Sequence, residues 1–260
     1  MHIVNRSRIH EATVTAIALR SHVADHEFLL FLDDAVNTAR VDLASARLEE
    51  RRQKSWKFTQ PTWEKEATGE NDHHACTVTK ATIATEKLPA KVIAAIGSYN
   101  LLVYLDATWT GAREIDFVLT LAHELRHTWQ YFNAPIVYHS QTPLSFVVLP
   151  QLTPCELDAE RAAKRVLCEE YGEAAVREYL KNELARCRPE HRETVQRLAE
   201  LDITADRQME TGTIELLKQH AAGIVSFQTE ARSRFPGYVM PGVRELTEAL
   251  KGRSNIRLLP

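Results

Sequence analysis

The strongest constraint on this chain is a run of apolar residues at Ile115, Val118, Ala122, Leu125, Trp129 and Phe132, which step by three and four without a break. That spacing predicts an amphipathic helix over about 113–132. At about 100° per residue, His123, Glu124 and His127 fall away from the apolar stripe, on the face that also carries Asp116, Thr120 and Tyr131. Two imidazoles and a carboxylate are thereby presented to surroundings other than the main core contact.

Histidines four apart on a helix are rotated by only about 40° and separated by about one turn, so both rings can reach a single ion. Glu124 points to the adjacent side. It is badly placed to ligate the same tetrahedral ion, yet it can hydrogen-bond a water in the open fourth position and take its proton. The five residues His123-Glu124-Leu125-Arg126-His127 are the HExxH pattern. With 11 His and 25 Glu in 260 residues, a shuffled chain would contain it about 0.04 times, so the match carries information but needs context. His22 and His26 share the i, i+4 spacing without a Glu after the first His, and read as surface residues. Asp72-His73-His74 lies in a polar run and reads as a solvated loop.

A zinc site needs at least three protein ligands. Downstream, Thr153-Pro154 places proline at a first helical position behind a Thr cap, which marks a helix start and puts Glu156 in its first turn. Glu156, Ala159, Glu160 and Ala163 share a face on that helix, and the two alanines allow close approach of a neighbour. Glu156 is therefore the candidate third ligand. Thr153 and Glu156 are also spaced as a capping box, in which Glu156 would only reach back to the cap's amide. Cys155 would project away from the Glu156 face and is assigned to core packing. The longer HExxHxxGxxH arrangement of metzincins is excluded, because Gln130 and Asn133 stand where its Gly and third His belong.

On these residues the chain resembles the gluzincins, the zinc peptidases whose third ligand is a Glu on a helix after the HExxH helix. Glu156-Leu157-Asp158-Ala159-Glu160 is similar to the Glu-x-x-Ala-(Asp/Asn) segment of minimal integral-membrane and ImmA/IrrE-type gluzincins. The resemblance covers about 100–163 and implies that Glu160 orients a zinc-bound His through its other ring nitrogen. It also implies that the strand before the HExxH helix, Asn100 to Leu105, borders a cleft where an extended peptide adds as a strand; an ordinary buried strand is the competing reading.

The order of elements fits an α+β, predominantly helical fold. A long helix is expected from about Glu27 to Gln53, then a small three-stranded sheet from runs at Cys76 to Thr85, Lys91 to Ile96 and Asn100 to Leu105. These elements, the HExxH helix and the Glu-bearing helix would form a zincin-like core over 1–172. Further helices near Glu173 to Cys187, Arg192 to Leu201 and Thr213 to Arg232, with a turn at Phe235-Pro236-Gly237, would make a helical C-terminal extension over 173–260, a candidate surface for a protein partner.

Composition excludes several classes. Hydrophobic residues at 44% and charged residues at 26% suit a globular protein, and a net charge of −3 without a Lys/Arg stripe argues against nucleic acid. No stretch reaches the roughly 18 apolar residues that would span a bilayer, and the first residues lack a signal-peptide hydrophobic region, so the expectation is a cytoplasmic protein without a membrane partner. A protein exported without a classical signal would read the same. Cys76, Cys155, Cys168 and Cys187 show no CxxC spacing.

The leading expectation is a zinc-dependent peptidase with one Zn2+ per chain held by His123, His127 and Glu156, Glu124 as general base, and a protein or peptide as substrate. Tyr131, Tyr138, His139 and Arg161 are candidates to stabilise the oxyanion. The alternative is a non-catalytic regulatory or interaction protein on a peptidase fold, against which an intact Glu124 argues.

Overall fold

The computed structural model describes residues 1–7, 9–33, 75–83, 88, 90–106, 114–187, 189–204 and 209–259. It is an α+β fold, mostly helical, with a small four-stranded sheet. The chain forms two compact units, Met1–Glu124 and Leu125–Pro260.

In the first unit, β1 (His2–Arg6), α1 (Glu11–Arg20) and β2 (Leu29–Asp33) precede β3 (Ala75–Thr79), α2 (Ala90–Ala95) and β4 (Leu101–Asp106). The sheet order is β1-β2-β4-β3. β1, β2 and β4 run parallel, and β3 is antiparallel to β4. All five residues of β2 are buried, as a strand between two partners requires. The sheet therefore has four strands where three were expected. Leu29 to Asp33 is a strand and not the start of a helix; the rest of that expected helix, from 34 to 53, lies outside the described residues, as do Asp72, His73 and His74. Lys91 to Ile96 is helical over Ala90–Ala95, because its buried residues Val92 and Ile96 are four apart and pack a helix face onto the sheet.

Pleating sorts the strand residues between two faces. Leu29, Phe31, Leu102, Tyr104, Cys76 and Val78 share the face that packs with Val92 and Ile96. Thr77, between Cys76 and Val78, points to the other face. β4 is paired on both sides, by β2 and β3, so the buried-strand reading of Asn100 to Leu105 holds and this strand has no edge to offer a peptide. Among the described residues the edges belong to β1 and β3.

The units share α3 (Glu114–Asn133), the helix the apolar spacing predicted, within a residue at each end. It is followed by α4 (Pro135–Ser145), α5 (Pro154–Tyr171), α6 (Glu173–Arg186), α7 (Pro189–Glu200), α8 (Met209–Arg234) and α9 (Val243–Leu250). In the second unit α4 packs on α8 and α9, burying Ile136, Leu144, Leu217, Ile224, Leu246 and, from the chain end, Leu258. Gly242 starts α9 with φ +79, and a Cβ there would stand 3.0 Å from the His139 carbonyl oxygen, so both backbone conformation and space require glycine. α5 packs on α6 and α7. Its basic residues satisfy carbonyls at and beyond the end of α7: Lys164 Nζ donates to Ala199 and Leu201, and Arg165 to Ile203. Among the described residues, no helix is long and apolar enough to cross a membrane.

Candidate metal centre

His123, His127 and Glu156 form a group in which one ligand atom from each lies within 4.8 Å of the others. The two histidines stand one turn apart on α3, and Glu156 comes from the first turn of α5. Among the described residues this is the one such group of His, Cys, Asp and Glu. His127 Nε2 is 3.5 Å from Glu156 Oε1. Donor atoms about 2.0–2.2 Å from a tetrahedral cation are about 3.3–3.6 Å from one another, and this pair has a separation within that range.

The approach of α5 follows from its sequence. Ala159 and Ala163 are fully buried, so small side chains allow the helix to come close to its neighbours. Pro154 sits at the first helical position behind Thr153, as the sequence predicts. The capping box does not form: the Thr153 amide donates to the Pro150 carbonyl, 3.1 Å away, and the Thr153 hydroxyl makes no cap bond. That hydroxyl donates instead to Gln141 Oε1. Gln141 Nε2 in turn donates to Glu156 Oε1 at 2.8 Å, so a residue of α4 holds the carboxylate that the sequence offered as either ligand or cap.

The polar side of α3 is not a solvent face. Glu124 and His127 are each 8% exposed and Gln130 is fully buried, whereas Phe132, assigned to the apolar stripe, is 37% exposed. Glu124 lies within the first unit, where Thr77 Oγ1 of β3 is 2.8 Å from its Oε2 and 2.9 Å from its carbonyl oxygen. One hydroxyl of β3 thus stands against the Glu124 carboxylate.

A second set of contacts surrounds His127. Its Nδ1 is 2.9 Å from Gln130 Oε1. Gln130 Nε2 donates to the Cys155 carbonyl at 2.9 Å and to Asp158 Oδ2 at 2.8 Å. Arg126 reaches the same Asp158 through Nε at 2.6 Å and through its second nitrogen at 3.3 Å, with its guanidinium 3.8 Å above the Trp129 ring. Cys155 is buried, as expected of a packing residue, with Sγ 3.0 Å from Gln130 Oε1.

The other candidates stand elsewhere. Glu160, expected to orient a histidine, is held by Arg197 of α7 through two hydrogen bonds of 3.0 and 2.6 Å. The side chain that meets the His127 ring is that of Gln130. The signal for Gln130 was its position three residues after His127, on the same helix face; Gln141 left no sequence signal, because the turn that brings α4 beside α5 is not written in a spacing. Tyr131, Tyr138 and His139 gather as an edge-to-face aromatic cluster with ring centroids 5.2–5.9 Å apart. Burial lowers the His139 pKa, with Glu245 opposing, and burial together with Glu245 raises that of Tyr131. Arg161 donates through Nε to the Asp202 carbonyl at 3.1 Å, a contact of the same kind as those of Lys164 and Arg165. His22 is exposed in a turn, with φ 55, and His26 is half-buried, so that pair is not on a helix.

Comparison with known proteins gives no relative: no family model matches the chain, nor does any curated protein or solved structure.

Proposed function

We propose that this chain is a zinc-dependent peptidase of gluzincin type, in which His123, His127 and Glu156 hold one zinc ion and Glu124 is the general base. The reading is carried by one observation: two imidazoles and a carboxylate converge from two helices, with the acid next to the first histidine kept out of the group. Two nitrogens and one carboxylate oxygen are a donor set suited to zinc, and three protein ligands leave a position open, as catalytic sites do and structural sites do not. Zinc bound there supplies Lewis acidity, lowering the pKa of a water and polarising a carbonyl.

Glu124 takes the proton of the attacking water and returns it to the leaving amine. Its near-complete burial and its contact with Thr77 support a positioned carboxylate, as general-base catalysis requires. The substrate is a protein or peptide. Tyr131, Tyr138, His139 and Arg161 are the candidates to stabilise the oxyanion.

The test compares zinc-loaded wild type with Glu124→Gln on a mixture of unstructured peptides, read by mass spectrometry. Cleavage should fall by at least about 100-fold while zinc content is unchanged. Equal cleavage by the two proteins would remove Glu124 as base.

A further inference from the structure

We propose that Gln130 is the positioning residue of this centre: it fixes His127 as the Nδ1–H tautomer and thereby aims the Nε2 lone pair at the ion. The inference rests on the zinc reading above and deepens it.

The argument follows the two ends of the Gln130 amide. Its nitrogen carries two hydrogens and meets two acceptors, the Cys155 carbonyl oxygen and Asp158 Oδ2. Turning the amide over would set its oxygen against both of them, so the hydrogen-bond network fixes the orientation. Oε1 must then face Nδ1 of His127, 2.9 Å away. An oxygen at that distance needs a proton on Nδ1, and a neutral imidazole protonated there keeps its lone pair on Nε2. Nε2 is the atom that stands 3.5 Å from Glu156 Oε1. With the proton on Nδ1 neither atom donates to the other, so a cation held by both would relieve the repulsion of their lone pairs.

What holds the amide is built deep in the second unit. Gln130 is fully buried, and the Asp158 side chain is 7% exposed. Arg126 pins that carboxylate with two hydrogen bonds and is itself stacked on Trp129. The donors run in one direction, from the His127 ring to the amide oxygen and from the amide nitrogen to the carboxylate. Each bond polarises the next, so the chain holds the ring in one orientation. The pairing recommended by the Glu156-to-Glu160 spacing is thus supplied by the HExxH helix itself, one turn beyond its second histidine, with Asp158 as the anchor.

Two measurements on the full chain test this. In metal-free wild type selectively labelled with 15N-histidine, His127 should show the protonated-Nδ1 tautomer near pH 8; the Nε2–H tautomer overturns the inference without any variant. In the second, the zinc dissociation constant is measured by chelator competition for wild type and Gln130→Met, each checked for folding by circular dichroism. Gln130→Met should bind zinc about 10–100-fold more weakly, and its metal-free His127 should lose the tautomer preference. Folded Gln130→Met with wild-type zinc affinity overturns the inference while leaving the zinc reading intact. A wild type that binds no zinc overturns the zinc reading and the inference built on it.

Discussion

Replacing Leu258 by Ala measures how far the C-terminal region belongs to the unit that carries His127 and Glu156. The side chain is fully buried against the core formed by α4, α8 and α9, although it lies near the end of the chain. Removing three carbons forfeits about 2.4 kcal/mol of transfer free energy at about 0.8 kcal/mol per carbon. A small residual cavity would raise the total into the lower part of the range of about 2.7–5 kcal/mol seen for buried Leu→Ala changes. A terminal segment could escape that cost by detaching, but Gln228 is fully buried and its Nε2 donates to the Leu258 carbonyl at 2.6 Å. Detachment would strip that amide of its acceptor, at about 1–3 kcal/mol. Detachment would also forfeit the burial of the side chain, so the repacked state with a loss of about 3 kcal/mol is the expected one. With an m-value of about 2–3 kcal/mol/M, the urea midpoint should fall by about 1–1.5 M, read by circular dichroism. Leu259→Ala, at a position 37% exposed, is the control and should cost less than about 0.5 kcal/mol. A Leu258→Ala protein within about 1 kcal/mol of wild type would refute the argument that residues 209–259 are core to the second unit and not an appendage.

Two further outcomes follow from the contacts around the centre. Glu160 and Arg197 form a bidentate pair with side chains 12% and 17% exposed, so a double-mutant cycle with Glu160→Ala and Arg197→Ala should give a coupling energy of about 1.5–3 kcal/mol in urea unfolding; a value near zero would contradict the pairing. His139 has a pKa lowered from 6.5 by burial, against the opposing effect of Glu245. In the window between its folded value and 6.5 the unfolded chain binds more protons, so this contribution to stability is present above pH 6.5 and is lost as pH falls through the folded pKa. His139→Gln should flatten the fall in stability that wild type shows below pH 6.5; identical pH profiles of unfolding would contradict the assignment.

The elements with a long, regular period were legible in the sequence. α3 was found to within a residue at each end because twenty residues repeat one pattern, and α5 because Pro154 marks its start. β1 and β2 were not. Leu29-Leu30-Phe31-Leu32 is a continuous apolar run, and a strand buried on both faces has no alternation to separate it from a buried helix. Val92 and Ile93 lean toward strand by propensity, yet burying Val92 together with Ile96 selects the helix, so tertiary packing overrode local preference. At the centre, the ligand candidates were legible because metal binding imposes spacing on one helix. The groups that hold them were less so. Gln141 reaches Glu156 from another helix, and Thr77 reaches Glu124 from a strand 47 residues earlier, distances along the chain over which no periodicity speaks. Glu160 was offered by a local motif and is instead taken by Arg197, a partner that only the docking of α7 supplies.

The central claim is tested most directly by zinc itself. Wild type and Glu156→Ala, purified under metal-replete conditions, are compared by elemental analysis and zinc X-ray absorption. Wild type should retain about one zinc per chain with nitrogen and oxygen neighbours at about 2.0–2.2 Å, including two histidines, while Glu156→Ala loses most of the metal. A wild type without bound zinc, or zinc retained with unchanged neighbours in Glu156→Ala, would contradict the site described by His123, His127 and Glu156.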